Sequence, residues 1–254
     1  MNRGANLLIE VGTEDLPPQE VAAALEQLRT HAKSALAELR LDVESVAVYG
    51  TPRRLVLSCS GVAVRQKSAE REVRGPAAHV AYDIAGNPTE AAKRFARSHG
   101  VPVAALQVRD FGSRQYTVAV VSERGQTATS VLPDVMAKIF EQLTFARTMR
   151  WGSVEQRFAR PIRWVVALMG TRVLPLTIAR IRAGRTTYGH RTLHPGPRIV
   201  RSAESYFSVI EASGVVIDPE VRRSLIIRQA NALAAGGRLK PVLDSGLLTE
   251  TTMG

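Results

Sequence analysis

The chain has 254 residues, 45% of them hydrophobic and 22% charged, with a formal net charge of +11. That is globular composition, with length for one large domain or two modest ones. Charges, prolines or glycines break every apolar run before the roughly 18 residues a membrane span needs. Met1–Gly12 lacks the basic-then-apolar layout of a signal peptide. The single Cys59 rules out an intrachain disulfide, and both features lead to an expected cytoplasmic location.

Leu7–Ile9 with Val11 reads as a short buried strand ended by Gly12. Thr13 to Pro18 then offers capping side chains and first-turn prolines. Val21, Leu25, Leu28, Ala32, Leu36 and Leu39 follow at helical spacing, which predicts an amphipathic helix. Val46–Tyr49 and Leu55–Leu57 read as a hairpin turning at Gly50–Pro52, with Arg53 and Arg54 at its rim, projecting towards a partner. Val64 to Arg74 is densely charged, and Gly75–Ala78 and Gly86–Pro88 read as loops.

A short helix is expected from Thr89 to Ser98, and a hairpin joins Val108–Phe111 to Tyr116–Val121. A second amphipathic helix is expected from Ser130 to Thr144. The second half of Arg157–Met169 predicts a buried strand, paired across Gly170 with Val173–Ile178. Arg180–Gly196 reads as an arginine-rich loop or edge hairpin, and helices are expected over 202–212 and 218–233, the second opened by Asp218-Pro219-Glu220. Gly236 onward reads as loop. The whole predicts an α+β fold of mixed or antiparallel sheets with packed helices, in lobes over 1–60 and 61–200 and a helical segment over 201–254.

Charge is distributed unevenly. Residues 1–50 carry 4 basic and 8 acidic side chains, whereas residues 141–201 carry 12 basic and 2 acidic ones. Such a block suggests a surface that meets a polyanion. The preponderance of Arg, 29 against 5 Lys, also fits a compositional bias, but a bias does not account for the scarcity of acids over 141–201.

Motifs of self-sufficient catalysis are missing: there is no Gly-rich phosphate loop, no Cys-x-x-Cys and no His-Glu-x-x-His. His190 and His194 stand four apart, but Gly189 and Pro195 argue against the helix that would make them a metal pair. Glu10, Glu14 and Asp15 cluster at a strand end, and read as residues of a helix start rather than a catalytic pair. No catalytic, cofactor-binding or metal-binding residue is assigned.

Five phrases in order carry a resemblance. Leu7-Leu-Ile-Glu-Val-Gly-Thr-Glu-Asp-Leu-Pro-Pro18, Thr51-Pro-Arg-Arg-Leu55, Met149-Arg-Trp-Gly152, Phe158-Ala-Arg-Pro-Ile-Arg-Trp164 and Gly184-Arg-Thr-Thr-Tyr-Gly-His-Arg191 together resemble the β subunit of bacterial glycyl-tRNA synthetase, with Asp15 where the family commonly has Glu. The resemblance implies a cytoplasmic α2β2 enzyme joining glycine to tRNA(Gly). ATP and Mg²⁺ are used through the α subunit, and the β subunit binds and positions tRNA. The family's β subunit also extends well beyond 254 residues, so this segment alone is expected to be inactive, with the α subunit and tRNA(Gly) as its partners.

Arg53, Arg54, Arg150, Arg160, Arg163, Arg185 and Arg191 fall in these phrases and suit phosphate, because the guanidinium donates a planar fork of bonds and stays charged. Trp151 beside Arg150 is suited to stack on an unpaired base, whereas Trp164, leading into Val165–Leu168, reads as core. His190 completes the expected RNA-binding set as a loop hydrogen-bonding residue. Two other roles remain open on the sequence: a purely structural segment docking the α subunit, and a general RNA-binding module.

Overall fold

A computed structural model describes residues 4–152, 155–237 and 239–254. In chain order it runs β1 (Ala5–Thr13), α1 (Pro18–Glu38), β2 (Ser45–Thr51), β3 (Arg54–Val62), β4 (Ala69–Ala77), α2 (Ala78–Ala81), α3 (Glu90–Ser98), β5 (Gln107–Phe111), β6 (Arg114–Glu123) and α4 (Ala128–Glu141). It continues with β7 (Ile162–Met169), β8 (Arg172–Val173), β9 (Thr177–Ile178), β10 (Ile181–Arg182), β11 (Thr186–Tyr188), β12 (Pro197–Ile199), α5 (Tyr206–Glu211), α6 (Pro219–Gly236) and α7 (Ser245–Met253). The fold is α+β. No described helix is long and apolar enough to cross a membrane.

The compact units fall elsewhere than the lobes read from the sequence. Residues 66–126 form one unit, and residues 1–65 with 127–254 form the other. Loops and composition mark surface turns, but they do not reveal that a chain leaving one core returns to it sixty residues later.

The larger unit is built on a five-stranded sheet in the order β2-β3-β1-β7-β8, with every neighbouring pair antiparallel. Because side chains alternate along a strand, its two faces separate cleanly. Leu7, Ile9 and Val11 of β1, Leu55 and Leu57 of β3, and Val165 and Ala167 of β7 point to one side. There they pack with Val21, Leu28, Ala32 and Leu36 of α1 and Leu132, Met136 and Phe140 of α4. Leu8, Val56, Trp164, Val166 and Leu168 point to the other, where Tyr206 and Ile210 of α5 cover them. Trp164 is therefore core, as its apolar flank predicted. Cys59 is buried on the α1 side, which pushes its thiol up to about 12.

The smaller unit is a three-stranded antiparallel sheet, β4-β6-β5. Ala119 and Val121 of β6 pack on Ala92, Phe95 and Ala96 of α3. Three local expectations are corrected. Ala69–Ala77 is a strand, Pro76 included, because it is the sheet's edge and its register shifts between Arg74 and Ala77; edges and bulges are where a ladder tolerates proline. The chain after Gly236 forms α7, whose N-cap Asp244 accepts a hydrogen bond from the Leu247 N–H at 2.8 Å. The strand expected opposite β7 shortens to Arg172–Val173. Thr177–Ile178 pairs instead with Ile181–Arg182, through a turn in which Ala179 and Arg180 both take positive φ.

Candidate functional site

The five phrases, scattered over 185 positions of sequence, meet at one end of the large sheet. Arg54, Gly12 and Trp164 are direct cross-strand neighbours on β3, β1 and β7, and all three present the face covered by α5. Backbone bonds stitch the loops beyond: Thr13 N–H to the Arg53 carbonyl at 2.8 Å, Glu14 N–H to that of Pro161 at 3.0 Å, and Leu16 N–H to that of Pro52 at 2.6 Å. Met149 and Phe158 exchange backbone bonds, and Gly184 bonds to Val165 and Ala167 of β7. Gly12 has a steric reason to be glycine. A Cβ built on it would land inside the Trp164 indole.

Beneath the indole lies a charged pair shut off from water. Arg54 Nη1 stands 3.2 Å from Glu10 Oε1, with the side chains 2% and 0% exposed. Thr187 Oγ1 donates to the same Glu10 oxygen at 2.9 Å, and Arg54 Nη2 donates to the Tyr188 carbonyl at 2.8 Å. Burial pushes the Glu10 carboxyl above its usual range, and the Arg54 charge, with Thr187, Trp164 and Tyr206 nearby, only partly offsets it. The Tyr206 hydroxyl, buried against that carboxylate, is pushed well above the usual phenol range, first by burial and then by the Glu10 charge. Glu10 Oε2, Trp164 Nε1 and Tyr206 Oη make no hydrogen bond of good geometry among the described residues. Arg54 thus does not project from a hairpin rim. Alternation along β3 turns it inward where Arg53, in the turn before it, faces out.

Two clefts flank this buried pair. One, of about 560 Å³, is lined by Trp151, Trp164 and Tyr188 together with Arg53, Arg163, Arg191 and Glu14. Trp164 and Tyr188 lie 4.9 Å apart at ring centroids, and the Arg53 and Arg54 guanidinium carbons each sit 5.8 Å from the Trp164 ring. The other, of about 700 Å³, shares Arg53 and Arg191 and adds Arg54, His190 and Arg222. Arg222 is held by the carbonyls of Val216, Ile217 and Thr252.

The acids at the strand end have a different task from the one read in the sequence. The first helix is capped at Pro17 without a side-chain bond, and Thr13 is buried as the last residue of β1. Glu14 pairs instead with Arg163 at 3.2 Å. Asp15 takes Arg191 at 2.7 Å through one oxygen and 2.9 Å through the other, and Arg53 approaches it at 3.8 Å. The Asp15 hydrogen bond and charge hold the Arg191 pKa above its usual value. All three carboxylates nearest the clefts thus have an arginine partner.

Of the expected RNA-binding residues, the fold brings together Arg53, Arg54, Trp151, Arg163, His190 and Arg191. His190 Nδ1 accepts the N–H groups of Thr192 and Leu193 at 3.2 and 3.1 Å, which shapes its loop. Arg150, Arg160 and Arg185 line neither cleft among the described residues. Arg150 is exposed, Arg160 donates to the carbonyl of Ala159, and Arg185 braces the carbonyls of Arg201 and Thr171. Sequence reasoning missed Glu10, Thr187, Tyr188 and Tyr206 as members of the same constellation. The usable signal was a glutamate in the middle of an apolar strand, which in a buried sheet requires a partner cation.

A family model described as glycyl-tRNA synthetase beta subunit matches residues 7–253. Among curated relatives, the glycine–tRNA ligase beta subunit of Moorella thermoacetica is 44% identical over 249 residues, 97% of this chain and 36% of the relative. Those of Desulforamulus reducens and Desulforudis audaxviator are 42% and 40% identical, again over 97% of this chain and 36% of each relative. The chain thus spans about a third of the length of these relatives. With its five phrases gathered on one sheet end and its length matched almost throughout, the chain belongs to the glycyl-tRNA synthetase beta subunit family.

Proposed function

We propose that this segment binds and positions tRNA(Gly) and assembles with the α subunit of a cytoplasmic α2β2 glycyl-tRNA synthetase. In that enzyme ATP and Mg²⁺ are used through the α subunit, and this segment alone does not aminoacylate. One observation carries the reading: a cleft of about 560 Å³ in which the Trp151 and Tyr188 rings, backed by the buried Trp164, sit among Arg53, Arg163 and Arg191. Rings that accept a stacked base beside guanidinium forks that accept phosphate are what an RNA strand with an unstacked nucleotide requires.

The ion pairs to Glu14 and Asp15 do not oppose this. They hold the forks in place while leaving 58–60% of the Arg163 and Arg191 side chains exposed, and exposed pairs bind weakly enough to be exchanged for phosphate. The same pairs also support a second reading, in which the arginines are an internal brace and the segment serves mainly to dock the α subunit.

Binding of tRNA(Gly) and an unrelated tRNA, titrated from low to physiological salt, separates the two. On the first reading tRNA(Gly) is preferred at physiological salt. Arg53→Ala, Arg163→Ala and Arg191→Ala each lower affinity and flatten the salt dependence, by about 0.7–0.9 in the log–log slope for each phosphate no longer neutralised. Equal, salt-labile binding of both tRNAs that ignores the three substitutions supports the docking role alone.

A further inference from the structure

The cleft arginines all belong to the larger unit, but the smaller unit carries its own arrangement of rings and guanidinium. Its sheet has one face packed on α3, through Ala119 and Val121. Cross-strand partners share a face, so the residues opposite that face follow from the register: Arg74 beside Val118, Gln107 beside Val118, Arg109 beside Tyr116, and Phe111 beside Arg114. The Arg74 guanidinium carbon stands 3.5 Å from the Tyr116 ring centroid and 5.2 Å from that of Phe111. The two rings meet edge to face at 5.9 Å and 83°. Phe111 is 41% exposed, and Arg74, Arg109 and Arg114 are exposed around it.

A sheet face that only needed solvation would not gather two aromatic rings and a layered cation at its open end. We infer that this face is a stacking platform for single-stranded RNA, separate from the tRNA cleft proposed above. An unpaired base lies on Phe111 and the Arg74 plane, and Arg109 and Arg114 reach the flanking phosphates. Base stacking on aromatic and guanidinium planes is sequence-tolerant, since every base has a π face, and a charged groove beside the platform tracks the backbone. The opposing charges are accounted for. Glu72 lies 3.6 Å from one Arg109 nitrogen, while Gln107 engages it at 2.8 Å. Glu70 sits farther along the strand, opposite Ser122, and Asp110, paired with Gln115, belongs to the other face of β5. The charged end of the platform therefore keeps a cationic surplus.

The test uses the whole chain and a fluorescent six-nucleotide uridine strand, with a duplex RNA of equal length as competitor. Phe111→Ala removes the ring, and Arg74→Lys keeps the charge while removing the plane. Both side chains lie at the surface, and unchanged melting temperatures establish that the variants fold. The hexamer is titrated in an Arg191→Ala background, so that the cleft proposed above contributes least; there each substitution is expected to weaken binding about tenfold, and the duplex is expected to compete poorly. The inference is overturned if the hexamer does not bind, if Arg74→Lys and Phe111→Ala bind it as the parent chain does, or if duplex competes equally. It is also overturned if the substitutions impair only capture of the α subunit, which would make this face a protein-docking surface. Loss of tRNA(Gly) preference on Arg191→Ala, with hexamer binding intact, shows that the two sites stand or fall separately.

Discussion

Arg54 and Glu10 stand on adjacent strands, 3.2 Å apart and closed to solvent, and the whole junction of the five phrases is arranged around them. Removing one member of such a pair strands the other charge in the interior. Arg54→Met should cost about 3–5 kcal/mol, the usual effect of breaking a buried pair. Adding Glu10→Gln should recover much of that loss, because the neutral amide still accepts from Thr187 and leaves no orphan charge. Chemical denaturation of the three chains checks this, and a double variant no more stable than Arg54→Met refutes the account.

The same pair sets a pH dependence. The Glu10 carboxyl is held above its ordinary value of 4.5 by burial, so the folded chain binds a proton that the unfolded chain has already released. Its contribution to stability is full below about pH 4.5 and is lost as pH rises through the raised value. Without Arg54 the offsetting charge is gone, and the window moves higher still. Stability of Arg54→Met relative to the double variant should therefore improve on acidification from neutrality. A difference that is flat with pH would place the titration elsewhere.

Gly12→Ala tests the Trp164 packing. The added methyl has no space against the indole, and overpacking of this kind costs roughly 1–3 kcal/mol. In a Trp151→Phe background the remaining tryptophan should report the displaced ring as a red-shifted, more exposed emission. An unchanged spectrum and unchanged stability would mean that the β1–β7 junction absorbs the methyl elsewhere.

Asp15→Asn frees Arg191 and Arg53 of their shared counter-ion. If those arginines meet phosphate, tRNA affinity at low salt should rise severalfold, with little change in stability because the close pair, Asp15 with Arg191, is exposed. A fall in affinity would instead show that Asp15 is needed to aim the forks.

Cys59 should label slowly. Its thiol is buried and pushed to about 12, and the thiolate is the reactive form. Modification by a disulfide reagent at neutral pH should track unfolding, speeding up in parallel with loss of helical signal in denaturant. Rapid labelling of the native chain would contradict the packing of β3.

Elements with a regular period were legible in the sequence. The spacing of Val21, Leu25, Leu28, Ala32 and Leu36 identified α1, and the apolar run after Arg163 identified β7. Edge strand β4 was not, because an exposed strand carries no alternating apolar signature and its Glu-Arg-Glu-Val-Arg run looks like a solvated loop. Helix α7 lacks a clear apolar stripe and hid for the same reason. At the site, the phrases pointed to the correct residues but not to their partners. Glu14 meets Arg163, and Asp15 meets Arg191, across about 150 and 176 positions, and no local rule pairs such distant charges. Part of the sequence's acid-poor, arginine-rich block is thus balanced within the chain by its acidic opening.

The smaller unit leaves the larger at Arg65 and returns at Thr127, and those two residues form an antiparallel bridge, with the Ala128 N–H bonded to the Val64 carbonyl at 2.9 Å. The segment from Gln66 to Gln126 is in effect a cassette inserted between β3 and α4, with an isolated bridge closing its base. Its two borders are already held at backbone bonding distance, the spacing that a short replacement turn has to span. A deletion that keeps Arg65 and Thr127 is therefore the cut that leaves this closing bridge intact.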